Sequence, residues 1–148
     1  MALSARLCRS SFRASTEQQI CIIYDTGLNM ASELKETVAK EDTFDKLDIR
    51  VGRLLSAEAA ADAAKPSYVL KADFGRYGVK TSVARLTTHE ANDLVGKQIL
   101  GLLNIGTRDV GGIVSEFLCL GVQVPGAESG EATIVTPLNM AKLGSKLF

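Results

Sequence analysis

A chain of 148 residues carrying 17 basic and 17 acidic side chains is long enough for one domain with a real core and too short for two. Its formal charge of zero at pH 7 excludes a protein that coats nucleic acid by bulk positive charge, so any RNA partner must be held by a local patch. Cys8, Cys21 and Cys119 are an odd number without a CxxC pair, which excludes a disulfide framework and a zinc-finger pattern and fits a reducing, cytoplasmic setting.

Residues 1 to 29 place Arg6, Arg9 and Arg13 among serines, with no acid before Glu17, the composition of an organellar transit peptide. Against that, Ser32 after Met30 can cap a helix whose first turn holds Glu33 and Glu36, so residues 1–29 are expected to be a disordered, dispensable extension or leader. Leu34 and Val38 lie one turn apart and predict a short amphipathic helix from about Ala31 to Lys40 within an N-terminal segment 30–41. Such a helix is unstable alone and must dock its apolar side.

From Asp48 the period becomes two, and strand-like runs recur at close spacing toward the C-terminus. The first strand, Asp48 to Glu58, holds Gly52, which would permit a bulge or sharp bend. Tyr68 to Gly75 and Val79 to Leu86 follow, separated by the turn Gly75–Gly78. Thr87 and Glu90 have capping-box spacing before Ala91 and Leu94, which predicts a short helix between the third and fourth strands. Strands at Gln98 to Asn104 and Ser115 to Val124 precede a hairpin from Val124 to Pro137 with its tip at Gly126 to Gly130. Short strands with one helix after the third predict an all-β fold, a five-stranded OB barrel with short flanking helices.

A barrel wall with one wet face should alternate polar and apolar residues, but two runs do not. Ile99 and Leu103 oppose Leu100 and Leu102, and Phe117 and Cys119 oppose Leu118, Leu120 and Val122. Burial of each such side chain stabilises by about 1.5–3 kcal/mol, so something covers the outer face. The chain's own ends, a symmetric homodimer and a client-binding groove are all expected candidates and can coexist. Leu100, Leu102, Leu118 and Leu120 are therefore the predicted peptide groove or dimer interface.

The ordered set Phe44-x-Lys46-Leu47-Asp48-Ile49-Arg50-Val51-Gly52, Lys65-Pro66-x-Tyr68-x-Leu70, Asp73-Phe74-Gly75, Ser82-x-Ala84, Gly96-Lys97 through Asn104, Arg108, Gly112 and Ser115-Glu116-x-Leu118-x-Leu120-Gly121 resembles the tRNA-binding OB domains appended to methionyl-tRNA synthetases. Within that family it is most similar to the free-standing, CsaA-like export chaperones, over about residues 42 to 148. The resemblance implies an OB domain over 42–148 that ends in a C-terminal dimerisation segment, a homodimer completed by segments flanking the barrel, binding of unfolded precursor polypeptides, association with the translocation motor SecA, and tRNA as a further ligand. The expected protein is non-enzymatic and uses no cofactor. The runner-up reading is an accessory, structure-specific tRNA-binding factor. The tRNA-binding residues implied are Lys65, Arg85, Arg108, Ser115 and Glu116. Arg85 stands where relatives usually have Gln, and Asp109 follows Arg108 in a loop where relatives carry prolines and more basic residues. That loop has lost positive charge, which weakens phosphate contacts.

Catalytic and metal chemistry finds no constellation. There is no Walker A loop, GxSxG elbow or HExxH helix, and Asp73-Phe74-Gly75 stands without the other kinase motifs. His89, the single histidine, reads as a polar surface residue lacking the oriented partner a general base needs. Asp45 and Asp48 read as turn and strand-start residues with oxygens on nearby backbone. Ser115 and Glu116 could satisfy loop N–H groups or meet a ribose or base edge. Tyr68, Phe74 and Tyr77 could stack on bases, although Tyr68 and Phe74 share a strand face with Leu70 and fit a core better.

Overall fold

The computed structural model describes residues 35–148. The leader expected over 1–29 and the start of the expected helix fall outside the described residues. Lys35 to Ala39 have no helical structure, and the chain enters the domain through a turn at residues 40–43 and a 3-10 turn at Phe44–Lys46. The helix expected up to Lys40 is thus not formed in its described part. Val38 is exposed, so no docked apolar side offsets the nucleation cost of so short a segment.

The strands are β1 (Ile49–Ala59), β2 (Tyr68–Asp73), β3 (Val79–Ala84), β4 (Gln98–Leu102), β5 (Arg108–Val110), β6 (Ile113–Ser115), β7 (Leu118–Cys119), β8 (Gly121–Gln123) and β9 (Ala132–Ile134), with one helical turn α1 (Ala91–Leu94) between β3 and β4. The main sheet is antiparallel with order β3-β2-β1-β4-β7. β1 serves two partners: Ile49 to Arg53 pair with β4, and Arg53 to Ala59 pair with β2. Its bulge lies between Leu54 and Ser56, not at Gly52. Gly52 is required for a different reason, because a Cβ there would lie 2.6 Å from the Phe74 ring.

The free edge of β3 is closed by the residues after β6. Glu116 N donates to Thr81 O at 2.8 Å, and Thr81 N donates to the Glu116 carboxylate at 2.8 Å. Val83 N reaches Ser115 Oγ at 3.4 Å. The result is a nearly closed five-stranded β-barrel with little helix, consistent with the OB fold expected from the sequence.

Inside it, Leu54, Leu70, Ala72, Phe74, Leu86, Leu94, Ile99 and Phe117 form the core. Phe74 and Phe117 meet edge to face with centroids 5.0 Å apart, a favoured aromatic geometry. A second cluster, Ile49, Val51, Leu100 and Leu102, occupies the other face of β1 and β4 under Phe44, Leu120, Val135, Ala141 and Leu143. The doubly apolar strand β4 is therefore covered by the chain's own flanking segments. Gly144 N to Val51 O at 2.8 Å and Val51 N to Ser145 O at 3.0 Å lock that C-terminal cover in place.

Two local expectations differ. The capping box does not form: Glu90 precedes α1 without a side-chain cap, and the Thr87 hydroxyl donates to the Glu131 carboxylate at 2.6 Å instead. The run Ser115 to Val124 is broken into pieces that pair with β5, β4 and β9 in turn, because Glu116 turns aside to close the barrel.

Candidate polypeptide and nucleic-acid interface

The loop between β4 and β6 is an ordered hairpin rather than an irregular glycine-rich stretch. Its tip, Gly111-Gly112, has positive φ at both residues, a region that favours glycine. A Cβ on Gly111 would lie 2.6 Å from the carbonyl oxygen of Asp62, so the tip is seated on the β1–β2 loop. That seating brings the elements carrying Lys65 and Arg108 to one end of the barrel, and both side chains are exposed. Asp109 is turned to its own backbone, accepting from Gly112 N at 3.0 Å.

Beside this hairpin lies a half-open groove of about 200 Å³. Val83, Ile105, Phe117 and Leu118 give it apolar walls, and Thr107, Arg108 and Ser115 add two hydroxyls and a single cation. Ile105 is 56% and Leu118 43% exposed, so the walls present real apolar surface to a ligand. Ile105 and Val83 were not foreseen as site residues. The only signal in sequence is an isolated isoleucine between Asn104 and Gly106, which gains meaning once β7 and β3 are known to flank it.

The remaining tRNA-site candidates have structural partners. Ser115 is buried, with Oγ 3.3 Å from both Ser82 Oγ and Phe117 O, and Glu116 is committed to Thr81. Arg85 Nη1 donates to Ser129 O, and Nη2 approaches the Glu128 carboxylate at 3.4 Å, so this guanidinium pins the β8–β9 loop. Of the four outward aliphatics, Leu100 and Leu102 are 8% and 7% exposed under the chain's own tail, and Leu120 packs against them. Only Leu118 stands out on the surface.

The stacking candidates are likewise engaged. Phe74 is fully buried, and Tyr68 packs on the core while its hydroxyl donates to His89 O at 3.0 Å. Tyr77 carries the guanidinium carbons of Arg50 and Arg76 at 4.8 and 4.9 Å from its ring centroid. Asp48 holds Arg50 at 2.6 Å and Asp45 holds Lys40 at 2.9 Å, so these carboxylates face cations rather than the backbone expected. Asp73 accepts from Gly75 N at 2.8 Å, the turn role of the Asp-Phe-Gly tripeptide. His89 sits 2.8 Å from Thr133 Oγ1, tying α1's approach to β9.

Cys119 is half-buried by area but its thiol packs on the core, where desolvation pushes its pKa up to about 12. A thiol held neutral is a poor nucleophile. Among the described residues, no three His, Cys, Asp or Glu side chains are placed to hold a metal ion, and no helix is long and apolar enough to cross a membrane.

Comparison with known proteins agrees with this geometry. Residues 49–146 match the family model described as "Putative tRNA binding domain". The crystal structure of the chaperone CsaA from Bacillus anthracis is 35% identical with a TM-score of 0.69, and CsaA from Picrophilus torridus is 30% identical with a TM-score of 0.68. Each match covers 76% of this chain and 100% of the other. A methionine–tRNA ligase from Pyrococcus abyssi is 30% identical over 145 residues, 96% of this chain but 19% of the ligase. The chain thus spans about one-fifth of the ligase it matches and the whole of the free-standing CsaA chains. It belongs to the tRNA-binding-domain family, as a CsaA-like OB-domain protein.

Proposed function

We propose that the protein is a non-catalytic chaperone that holds unfolded precursor polypeptides through apolar side chains seated in the Ile105–Leu118 groove. The observation that carries this reading is the groove's lining: four apolar walls against one cation. Burial of one Leu- or Phe-sized side chain there is worth about 1.5–3 kcal/mol, enough for a weak, sequence-tolerant hold that several such sites would strengthen. Client binding lowers the free concentration of unfolded chain without nucleotide. The protein acts in the cytoplasm as a homodimer through its C-terminal segment, where Leu138 and Met140 are 98% and 73% exposed, and delivers clients to the export motor SecA.

A second reading is supported by one specific feature, the meeting of the Lys65 and Arg108 loops at the barrel end. In this reading the same face binds structured RNA such as tRNA. Salt separates the two ligands. A denatured precursor should bind nearly as well when ionic strength is raised, whereas tRNA affinity should fall steeply. Arg108→Ala should weaken tRNA and spare the polypeptide. A polypeptide affinity that collapses with salt as tRNA's does would refute the groove reading.

A further inference from the structure

A second recess is built where the C-terminal tail crosses the start of β1. It has a volume of about 570 Å³, and its walls include Arg50, Arg76, Lys142 and Ser145 but no acidic side chain. The backbone beneath it is fixed: Gly144 N and Leu147 N donate to Val51 O and Ile49 O at 2.8 and 2.9 Å.

Its cations are differently held. Arg50 is anchored by Asp48 and by Gly144 O at 3.2 Å, which uses three of its five N–H donors and leaves two. Arg76 is exposed and steered by Tyr77, lying over the ring and donating to its hydroxyl at 2.7 Å. Lys142 is exposed and, among the described residues, forms no ion pair. Among the described residues, the one acid paired with these three cations is Asp48, and it holds Arg50 alone.

We propose that this recess binds the phosphodiester backbone of RNA, as a second contact apart from the Lys65–Arg108 end. The proposal rests on the RNA reading above and gives it a second site. Two guanidiniums, an ammonium and a hydroxyl spread around one recess suit a run of phosphodiesters, each with one charge and two non-bridging oxygens, better than a single carboxylate. The recess is open and larger than one phosphate needs, which fits a backbone passing through. β1 rises at most roughly 3.3 Å per residue and bends at its bulge, so Arg50 and the β1–β2 loop lie no more than about 30 Å apart. An RNA touching both must therefore reach across that distance, whether folded or extended.

The test is tRNA binding across a salt series for wild type, R76A/K142A and R108A, with thermal unfolding measured on each. Arg50 is left intact because it is bonded into the fold. The double variant should unfold like wild type, bind tRNA at least about tenfold more weakly at low salt, and show a log–log salt slope shallower by about 2. Its hold on an unfolded polypeptide should not change. If R108A weakens tRNA and the double variant does not, the recess is excluded while the RNA reading stands. If wild type binds no tRNA, both fall. Polyglutamate or inorganic phosphate whose binding is lost in the double variant while tRNA binding persists would assign the recess to an acidic peptide or a free anion and overturn the proposal.

Discussion

Gly101 has no room for a methyl group. A Cβ there would lie 2.7 Å from Phe74 Cζ and 2.9 Å from Phe117 Cδ2, and both rings are locked in the core. Gly101→Ala should therefore cost about 1–3 kcal/mol, the usual range for overpacking, read as a lower urea midpoint with an unchanged slope. Phe74→Leu should cost less in the Gly101→Ala background than in wild type, because it empties the space the methyl needs. Cys119 makes a second residue-level prediction. Its thiol rises from 9.0 to about 12 on folding, so the folded state keeps the proton that the unfolded chain loses first. The resulting stabilisation is complete below pH 9 and declines as pH rises toward 12, by about 1.4 kcal/mol per pH unit. Cys119→Ala should flatten that alkaline decline, and native Cys119 should resist alkylation at pH 8 until denaturant is added.

At the scale of elements, the closure of β3 by Ser115-Glu116 decides how this barrel is finished. The Glu116 side chain acts as a strand substitute, accepting from Thr81 N while its own N–H returns a bond to Thr81 O. Glu116→Gln keeps an acceptor and should leave stability and RNA affinity near wild type, whereas Glu116→Ala should lose about 1–2 kcal/mol. A base- or ribose-contacting Glu116 would behave differently, with Glu116→Gln losing RNA affinity at unchanged stability.

Much of this architecture is legible before any coordinates. The period-two runs define β1 to β4 to within a residue or two, since each is long enough for its alternation to register, and the helix signal places α1 between β3 and β4. What the chain hides is non-local. Thr87 and Glu90 satisfy a local capping rule, yet Thr87 bonds to Glu131, 44 residues on. Arg85 reads as a free cation until the β8–β9 loop folds onto it. Leu100 and Leu102 read as open surface until residues 135–143 return to cover them. Periodicity reports that a face is apolar and is silent about which distant segment lies on it.

At the scale of the whole molecule, the chain's own tail covers β4, and exposed apolar side chains remain at several other places, two pairs of which bear on function. Leu138 and Met140 stand on the C-terminal segment, and Ile105 and Leu118 rim the groove. The first pair fits self-association: Leu138→Asp with Met140→Asp should convert a dimer into a monomer by light scattering while leaving the thermal transition of the barrel in place. A wild-type protein that is monomeric at all concentrations would contradict the dimer.

The second pair carries the chaperone reading, and the most direct measurement is the affinity of a fluorescent unfolded polypeptide for wild type and for Ile105→Ser/Leu118→Ser. Removing two apolar walls should weaken binding by at least about tenfold, as the burial of even one such side chain implies, and should do so equally at low and high salt, with tRNA affinity unchanged. Polypeptide affinity equal to wild type in that variant, with its fold intact, would contradict the account.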